Sequence, residues 1–360
     1  MEYKKLSEVC DVRDGTHDSP KYVTEGYPLV TSKNIVDGKL DLSVINYLSQ
    51  EDYDKINERS KVDVGDIIMP MIGTIGNPYI VEDFTDFAIK NVALVKFPYD
   101  SINNRYVWYY LKSESFNRYV AEKNKGGTQK FLSLGDIRSL NIPVINKNEQ
   151  AEIVELLDKV SSIIDLRKDE LIKLDELIKA RFVEMFGHPD KNEKNWKMNT
   201  FGDICTVRQG LQIPISKRLT EYEEGCYEYI TVQYLHGGKE REYIKNPKDT
   251  VICNKDDILM TRTGNTGMVI TGVDGVFHNN FFLIDFDRNK YDKDFLVQYL
   301  NLDMIQADIL RRAGTSTIPD LNHGEFYKIQ VFEPPKSLQE EFNVFLKQVD
   351  KSKVVDIKAA

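Results

Sequence analysis

Residues 260–267 read Met260-Thr261-Arg262-Thr263-Gly264-Asn265-Thr266-Gly267. A guanidinium, a carboxamide and several hydroxyls stand between glycines that let a backbone approach another molecule closely. This is the chemistry of recognition by hydrogen bonding. A second segment, Arg311-Arg312-Ala313-Gly314-Thr315-Ser316-Thr317, sets cations and short hydroxyls around a glycine, as does Lys123-Asn124-Lys125-Gly126-Gly127-Thr128-Gln129-Lys130. Cations beside exposed backbone N–H groups suit a phosphate-like anion. Arg13 and Arg208 each sit just before a glycine, and Lys33-Asn34 matches Gln233-Tyr234.

No catalytic constellation accompanies them. Asn77-Pro78-Tyr79 lacks one proline of a methyltransferase tetrad, and Glu333-Pro334-Pro335-Lys336 has the wrong flanks. There is no G-x-x-x-x-G-K-S/T loop. Pro189-Asp190 with Glu193 and Lys194 only faintly suggests a nuclease site, and His17, His188, His236, His278 and His323 form no i, i+4 metal pair.

The polar segments come in pairs because the chain is written twice, with an offset of about 190 residues, too long for a solenoid repeat. Lys5 to Gly15 returns as Thr200 to Gly210. Gly65-Asp66-Ile67-Ile68-Met69 returns as Asp256-Asp257-Ile258-Leu259-Met260, and Gly126-Gly127-Thr128 as Ala313-Gly314-Thr315. Short apolar runs such as Val92-Ala93-Leu94-Val95-Lys96-Phe97 and Phe281-Phe282-Leu283-Ile284-Asp285-Phe286, bounded by glycine and Asx residues, predict strands. Tyr106 to Leu111 and Phe295 to Leu300 predict one helix per copy.

After Ile142-Pro143-Val144 the texture changes. From Asn148 to Phe186 there is no glycine or proline, and apolar residues step by four and three: Ile153, Leu157, Val160, Ile164, Leu171, Leu174, Ile178 and Met185, with Arg167 and Arg181 interrupting. A sustained period near 3.5 marks a coiled-coil seam. The two arginines either fix register or extend their stems out to water. Gly187-His188-Pro189 stops the helix. The second copy ends likewise, with Phe342, Leu346 and Val349 on the seam, which fades at Lys353 and Asp356; this helix is expected to be about 15 residues shorter than the first. The expected fold is α+β: two similar mixed, strand-rich domains separated by long antiparallel coiled-coil helices in a pseudo-two-fold dumbbell. The expected bounds are 1–146 for the first domain, 147–186 for the long helix, 187–335 for the second domain and 336–360 for the shortened helix.

With 360 residues, 41% of them hydrophobic and 29% charged, the chain suits a globular protein of two or three domains. No apolar run is long enough to span a membrane, and the N-terminus is not a signal peptide. Cys10, Cys205, Cys226 and Cys253 lie far apart and are read as small core residues in a reducing cytoplasm. The net charge of −9 divides evenly, about −3 for each of 1–146, 147–186 and 187–360, so an anionic partner would have to meet a local patch.

The whole chain resembles the DNA-specificity subunits of Type I restriction-modification systems. The resemblance rests on the opening segments Leu6 to Gly15 and Phe201 to Gly210, on Gly-Asp-Ile-Ile-Met and Asp-Asp-Ile-Leu-Met, and on Ile142-Pro143-Val144 followed by Glu149-Gln150, Ile153-Val154 and Leu157-Asp158. It implies a non-catalytic subunit in which each target-recognition domain binds half of a split, asymmetric double-stranded DNA site. The helices then serve as a ruler and as a dock for two methyltransferase (modification) subunits, with restriction/translocase subunits joining them. It implies no cofactor in this chain, with S-adenosylmethionine, ATP and Mg on the partner subunits. A helix of about 33 residues is roughly 50 Å long and spans roughly 15 base pairs. The rival reading is a two-headed protein-interaction scaffold that dimerises through its coil.

Under the resemblance, the paired polar segments become candidate DNA contacts. Arg262 suits a guanine edge and Asn265 an adenine edge, with Thr263 beside them. The equivalent first-copy loop has Met71 in place of Arg262, which leaves either a thymine-methyl contact or a structural loop from which only Thr74 and Asn77 reach out. Lys125, Thr128, Gln129 and Lys130, and Arg311, Arg312, Thr315, Ser316 and Thr317, are expected on phosphates. Arg13, Lys33, Asn34, Arg208 and Gln233 complete the candidates.

Overall fold

The computed structural model describes residues 2–73, 75–124, 131–235, 241–314 and 319–358. The chain divides into two compact units, Met1–Leu166 and Arg167–Ala360. Both are built to the same plan.

In the first unit a four-stranded antiparallel sheet runs in the order Asp11–Asp14, Val92–Lys96, Ile67–Pro70, Tyr79–Ile80. The second unit repeats that order with Cys205–Gln209, Phe281–Phe286, Ile258–Thr261 and Val269–Ile270. The solid apolar runs follow from burial of both sheet faces. Ile67, Met69, Ala93 and Val95 enter one core, while Ile68, Val92 and Leu94 enter another on the opposite face. Ile258, Met260, Phe282 and Ile284 divide from Leu259, Phe281 and Leu283 in the same way.

A smaller mixed sheet lies beyond the second core of each unit. In the first it comprises Asn46–Leu48, Tyr27–Val30 and Ala88–Ile89; in the second, Tyr243–Lys245, Cys226–Ile230, Gly275–Phe277 and Ile252–Cys253. A third pairing ties each unit's first strand to its last, Glu2–Lys5 with Asn141–Val144 and Lys197–Thr200 with Gln330–Glu333. Each globule therefore closes on itself just before a long helix departs.

Those helices are Lys147–Phe186, of 40 residues, and Lys336–Lys358, of 23. Gly187, at φ 83°, ends the first and donates its N–H to the Val183 carbonyl. Within the second unit the two helices run antiparallel. Phe342 stacks edge-on against Phe182 and Phe186, and Lys353 pairs with Asp175. Ile178, Phe182, Met185, Phe342, Leu346 and Val349 are buried there, with Leu174 against them. Arg181 pairs with Glu184 and Glu341 at the rim of this packing.

The heptad seam is not covered along its whole length. Ile153, Val160 and Ile164 are exposed, and Leu157 and Leu171 only half-buried. Among the described residues of the second unit, the C-terminal helix meets the long helix from Asp175 to Phe186. The N-terminal part is held to the first unit from one side, by Val154 in the core and by Asp158, which accepts from Arg105 Nη2 and Tyr109 Oη, both at 2.6 Å.

All four cysteines are buried free thiols, and burial pushes Cys10, Cys205 and Cys253 up to about 12. No helix among the described residues is long and apolar enough to cross a membrane.

Candidate nucleic-acid interface

In the second unit, strand Ile258–Thr261 delivers the chain into the loop that carries Arg262. The backbone of Arg262 is held on both sides: its N–H donates to the Asn280 carbonyl at 2.7 Å, and its carbonyl accepts from Leu321 N at 2.9 Å and Thr266 Oγ1 at 3.1 Å. Gly264 and Gly267, at φ 84° and 91°, make the turn between. Thr261 is fully buried, and its Oγ1 accepts from Met268 N at 2.9 Å, closing the loop's base.

The Arg262 side chain is equally constrained. Its Nε and Nη2 fork onto the two carboxylate oxygens of Asp320, at 2.8 and 2.6 Å, and its Nη1 reaches Gln209 Oε1 at 3.3 Å. Gln209 Nε2 donates to the carbonyls of Asn279 and Phe281, which fixes the amide with its oxygen toward Arg262. That oxygen also lies 2.8 Å from His323 Nε2, which therefore acts as the donor. Burial, then the Arg262 charge, holds His323 below the ordinary histidine range. The Arg262 bond holds the Asp320 carboxyl below the usual carboxylate range. Thr263 bridges to Asp320 through the backbone, and Asn265 is exposed at the tip.

The first unit keeps this backbone and changes the side chains. Leu132 N donates to the Met71 carbonyl at 2.9 Å, and Ile72 bridges to Phe131, as Leu321, Arg262, Thr263 and Asp320 do. Met71 thus takes the place of Arg262, and Phe131 that of Asp320. Met71 is 3% exposed and Phe131 50%, so Phe131, not Met71, presents an apolar surface at this rim. The thymine-methyl alternative for Met71 is thereby corrected: its side chain is consumed by the core. Asn77 donates to the Ile35 carbonyl at 3.4 Å.

The polar cluster of the first unit is made differently. Asp14, in the position matching Gln209, is almost buried and pairs with Arg59 and with His17 Nε2 at 2.9 Å, while His17 Nδ1 lies 2.7 Å from Asn91 Oδ1. The bond to Asp14 raises the His17 pKa above its ordinary value. His17 and Arg59 are both mostly exposed.

Other candidates have internal partners. Arg13 forks onto Asp11 and donates to the Arg59 carbonyl at 2.9 Å; Arg208 donates to the Asp249 and Thr250 carbonyls. Both guanidiniums clamp a sheet strand to the neighbouring segment. Asn34 is buried, and its Nδ2 donates to the Asp41 and Val44 carbonyls. Lys33 and Gln233 are exposed at matching places. Arg311 pairs with Asp308, and Arg312 with Asp308 at 2.7 Å and Glu325 at 3.4 Å, at the end of helix Asp303–Ala313. Thr74, Lys125, Thr128, Gln129, Lys130, Thr315, Ser316 and Thr317 lie outside the described residues.

Sequence reasoning missed Asp320, Gln209 and His323, and in the first unit Asp14, Arg59 and His17. Only Gln209 and Asp14 carried a local signal, as the residues just before Gly210 and Gly15. Among the described residues no group of His, Cys, Asp and Glu is arranged to hold a metal ion.

The model of the Type I restriction modification DNA specificity domain matches residues 1–176 and again residues 193–359. The chain belongs to this family. The specificity family is non-catalytic: its members supply the DNA sequence recognition of Type I restriction-modification systems. A type I restriction enzyme MjaIX specificity subunit of Methanocaldococcus jannaschii is 21% identical over 378 residues, covering 94% of this chain and 84% of that protein. The type I restriction enzyme EcoBI specificity subunit of Escherichia coli is 28% identical over 144 residues, 40% of this chain and 30% of that one. Among solved structures, a Type I restriction-modification S subunit from M. genitalium superposes with a TM-score of 0.53 at 17% identity, over 99% of this chain and 91% of that one. A chain from a structure of the type I R-M system, concerned with its complex assembly and conformational transition, superposes with 0.56 at 16% identity, over 99% and 93%. These superpositions place this specificity chain in the same fold.

Proposed function

We propose that this specificity subunit reads a split, asymmetric double-stranded DNA site, one half through each unit, and carries two modification subunits, and with them restriction/translocase subunits, to that site. One observation supports the asymmetry above all. At the same backbone position, in the same hydrogen-bonded frame, one unit sets Arg262 with Asp320 and the other Met71 with Phe131. A duplicated frame with exchanged rim chemistry is suited to two different half-sites.

The exposed apolar residues Ile153, Val160 and Ile164 suit docking of a modification subunit on the long helix. The methyl donor, ATP and magnesium belong on the partner subunits, and the assembly acts in the cytoplasm. The overall acidity of the chain confines DNA contact to local patches such as the exposed Lys33.

The test is to map methylated motifs in cells expressing this chain with its modification subunits. A bipartite motif with a fixed gap is expected, and exchange of residues 1–146 for another such domain should change one half only. A motif unchanged by the exchange overturns the reading. A chain that neither binds DNA nor directs methylation, yet self-associates through its helices, would instead be the two-headed scaffold.

A further inference from the structure

We infer that Arg262 reads a guanine in the half-site of the second unit, and that Asp320 and Gln209 are positioning residues that aim it. This rests on the reading of the chain as a DNA specificity subunit and adds which base, which atoms and which supports.

A guanidinium has five N–H groups. Three of those of Arg262 are engaged: Nε and one of Nη2 by Asp320, and one of Nη1 by Gln209. Among the described residues, one hydrogen on each of Nη1 and Nη2 has no partner. Two donors on one guanidinium match the O6 and N7 acceptors of guanine in the major groove, and no other base offers two acceptors there.

Charge separates base reading from phosphate contact. An arginine meant for phosphate gains from an unopposed charge, because the gain is electrostatic. Arg262 is instead neutralised by a carboxylate bound to it through both oxygens. That pairing forfeits attraction to the DNA backbone and gains a fixed orientation of the guanidinium plane. Orientation is what a base edge requires.

The supports arrive from separate parts of the chain. Gln209 ends the first strand of the sheet, with its amide locked by two carbonyls, and Asp320 immediately precedes Leu321, whose N–H donates to the Arg262 carbonyl. His323 Nε2 lies 2.8 Å from the same Gln209 oxygen and adds a further support to that amide. In the first unit the position of Asp320 is filled by Phe131, and that of Arg262 by Met71, so carboxylate and guanidinium are absent together.

The experiment uses the full chain assembled with its modification subunits, and duplex DNA bearing the site found by methylation mapping. Each guanine of the second half-site is replaced in turn by 7-deazaguanine, which lacks the N7 acceptor, and affinity is read by fluorescence anisotropy. In the unaltered assembly one guanine should show a loss of about 10- to 100-fold. In Arg262→Ala that loss should vanish at that guanine only, and in Asp320→Asn, which keeps the side chain's volume, it should shrink several-fold. A merely structural staple would weaken every site alike and leave the pattern across guanines unchanged. Binding of the first half-site and the thermal midpoint report folding of each variant. A second half-site without a G·C pair, or a pattern unchanged in Arg262→Ala with binding retained, overturns the inference alone. An unaltered assembly that binds no split site overturns the functional reading beneath it.

Discussion

Gln150 and Gln339, at equivalent points of the two copies, are both fully buried and make the same set of hydrogen bonds. The Oε1 of each accepts from the N-cap residue of a domain helix, Asn103 N and Asp292 N, at 2.8 Å. The Nε2 of each donates to the carbonyl just before its long helix, Ile145 and Pro334, at 2.9 Å, and to a second carbonyl, Ser101 and Lys290. One side chain therefore welds helix start to globule in each unit. Leucine at either position fills similar volume but orphans a backbone N–H and two carbonyls. Gln150→Leu and Gln339→Leu should each cost about 1–3 kcal/mol, measured by urea unfolding. Equal stability to the unaltered chain would show that the joint is held by packing alone.

The long helix should respond to substitution in opposite ways along its length. Phe182 is fully buried among Phe186, Phe295 and Phe342, so Phe182→Ala should destabilise the second unit by about 3–5 kcal/mol. Val160 and Ile164 are exposed, so Val160→Glu with Ile164→Glu should leave the unfolding midpoint of the chain nearly unchanged. The same double change should abolish co-purification of modification subunits. Retained co-purification would move the dock elsewhere.

These two helix segments also mark what the sequence makes legible. Freedom from glycine and proline and a period near 3.5 are local properties, and they announce a helix that the structure has as Lys147–Phe186. Whether a partner covers the seam depends on how far another helix reaches, and periodicity carries no such information. The site divides similarly. The duplicated loops could be found because their backbones need glycine at left-handed positions, as at Gly264 and Gly267. Asp320 could not, because its link to Arg262 spans 58 positions and leaves no trace in spacing. Arg13, Arg208 and Asn34 look alike in sequence whether they face a partner or a carbonyl of their own chain; the structure gives all three internal carbonyls.

Three histidines should titrate apart. The Asp14 bond raises His17, while burial lowers His278 and His323. Because the folded pKa of His17 is raised, its contribution to stability is fully present below its unfolded value, ordinarily about 6.5, and is lost as pH rises through the folded value. For His278 and His323 the sign reverses: their contribution is present above the unfolded value and is lost as pH falls toward the folded ones. NMR titration should place His17 above the other two, and Asp14→Asn should lower His17 alone. A His17 that titrates with or below His323 would contradict the Asp14 pairing.

The two glycines of the Arg262 loop should differ in tolerance, although both are left-handed. A Cβ on Gly264, at φ 84°, would meet nothing within 4 Å among the described residues, so Gly264→Ala is expected to carry backbone strain alone, about 1–2 kcal/mol. On Gly267, at φ 91°, it would come within 2.9 Å of Gln306 Oε1 and of Ile309 Cγ2. Gln306 cannot yield freely, because its Nε2 donates to the Gly267 carbonyl at 2.9 Å and the Leu300 carbonyl at 2.7 Å. Gly267→Ala should therefore cost more than Gly264→Ala in urea unfolding, and it should also disturb the half-site preference by shifting the base of the loop below Arg262. Equal costs for the two alanines would mean that Gln306 moves aside and that the loop is less constrained than its hydrogen bonds imply.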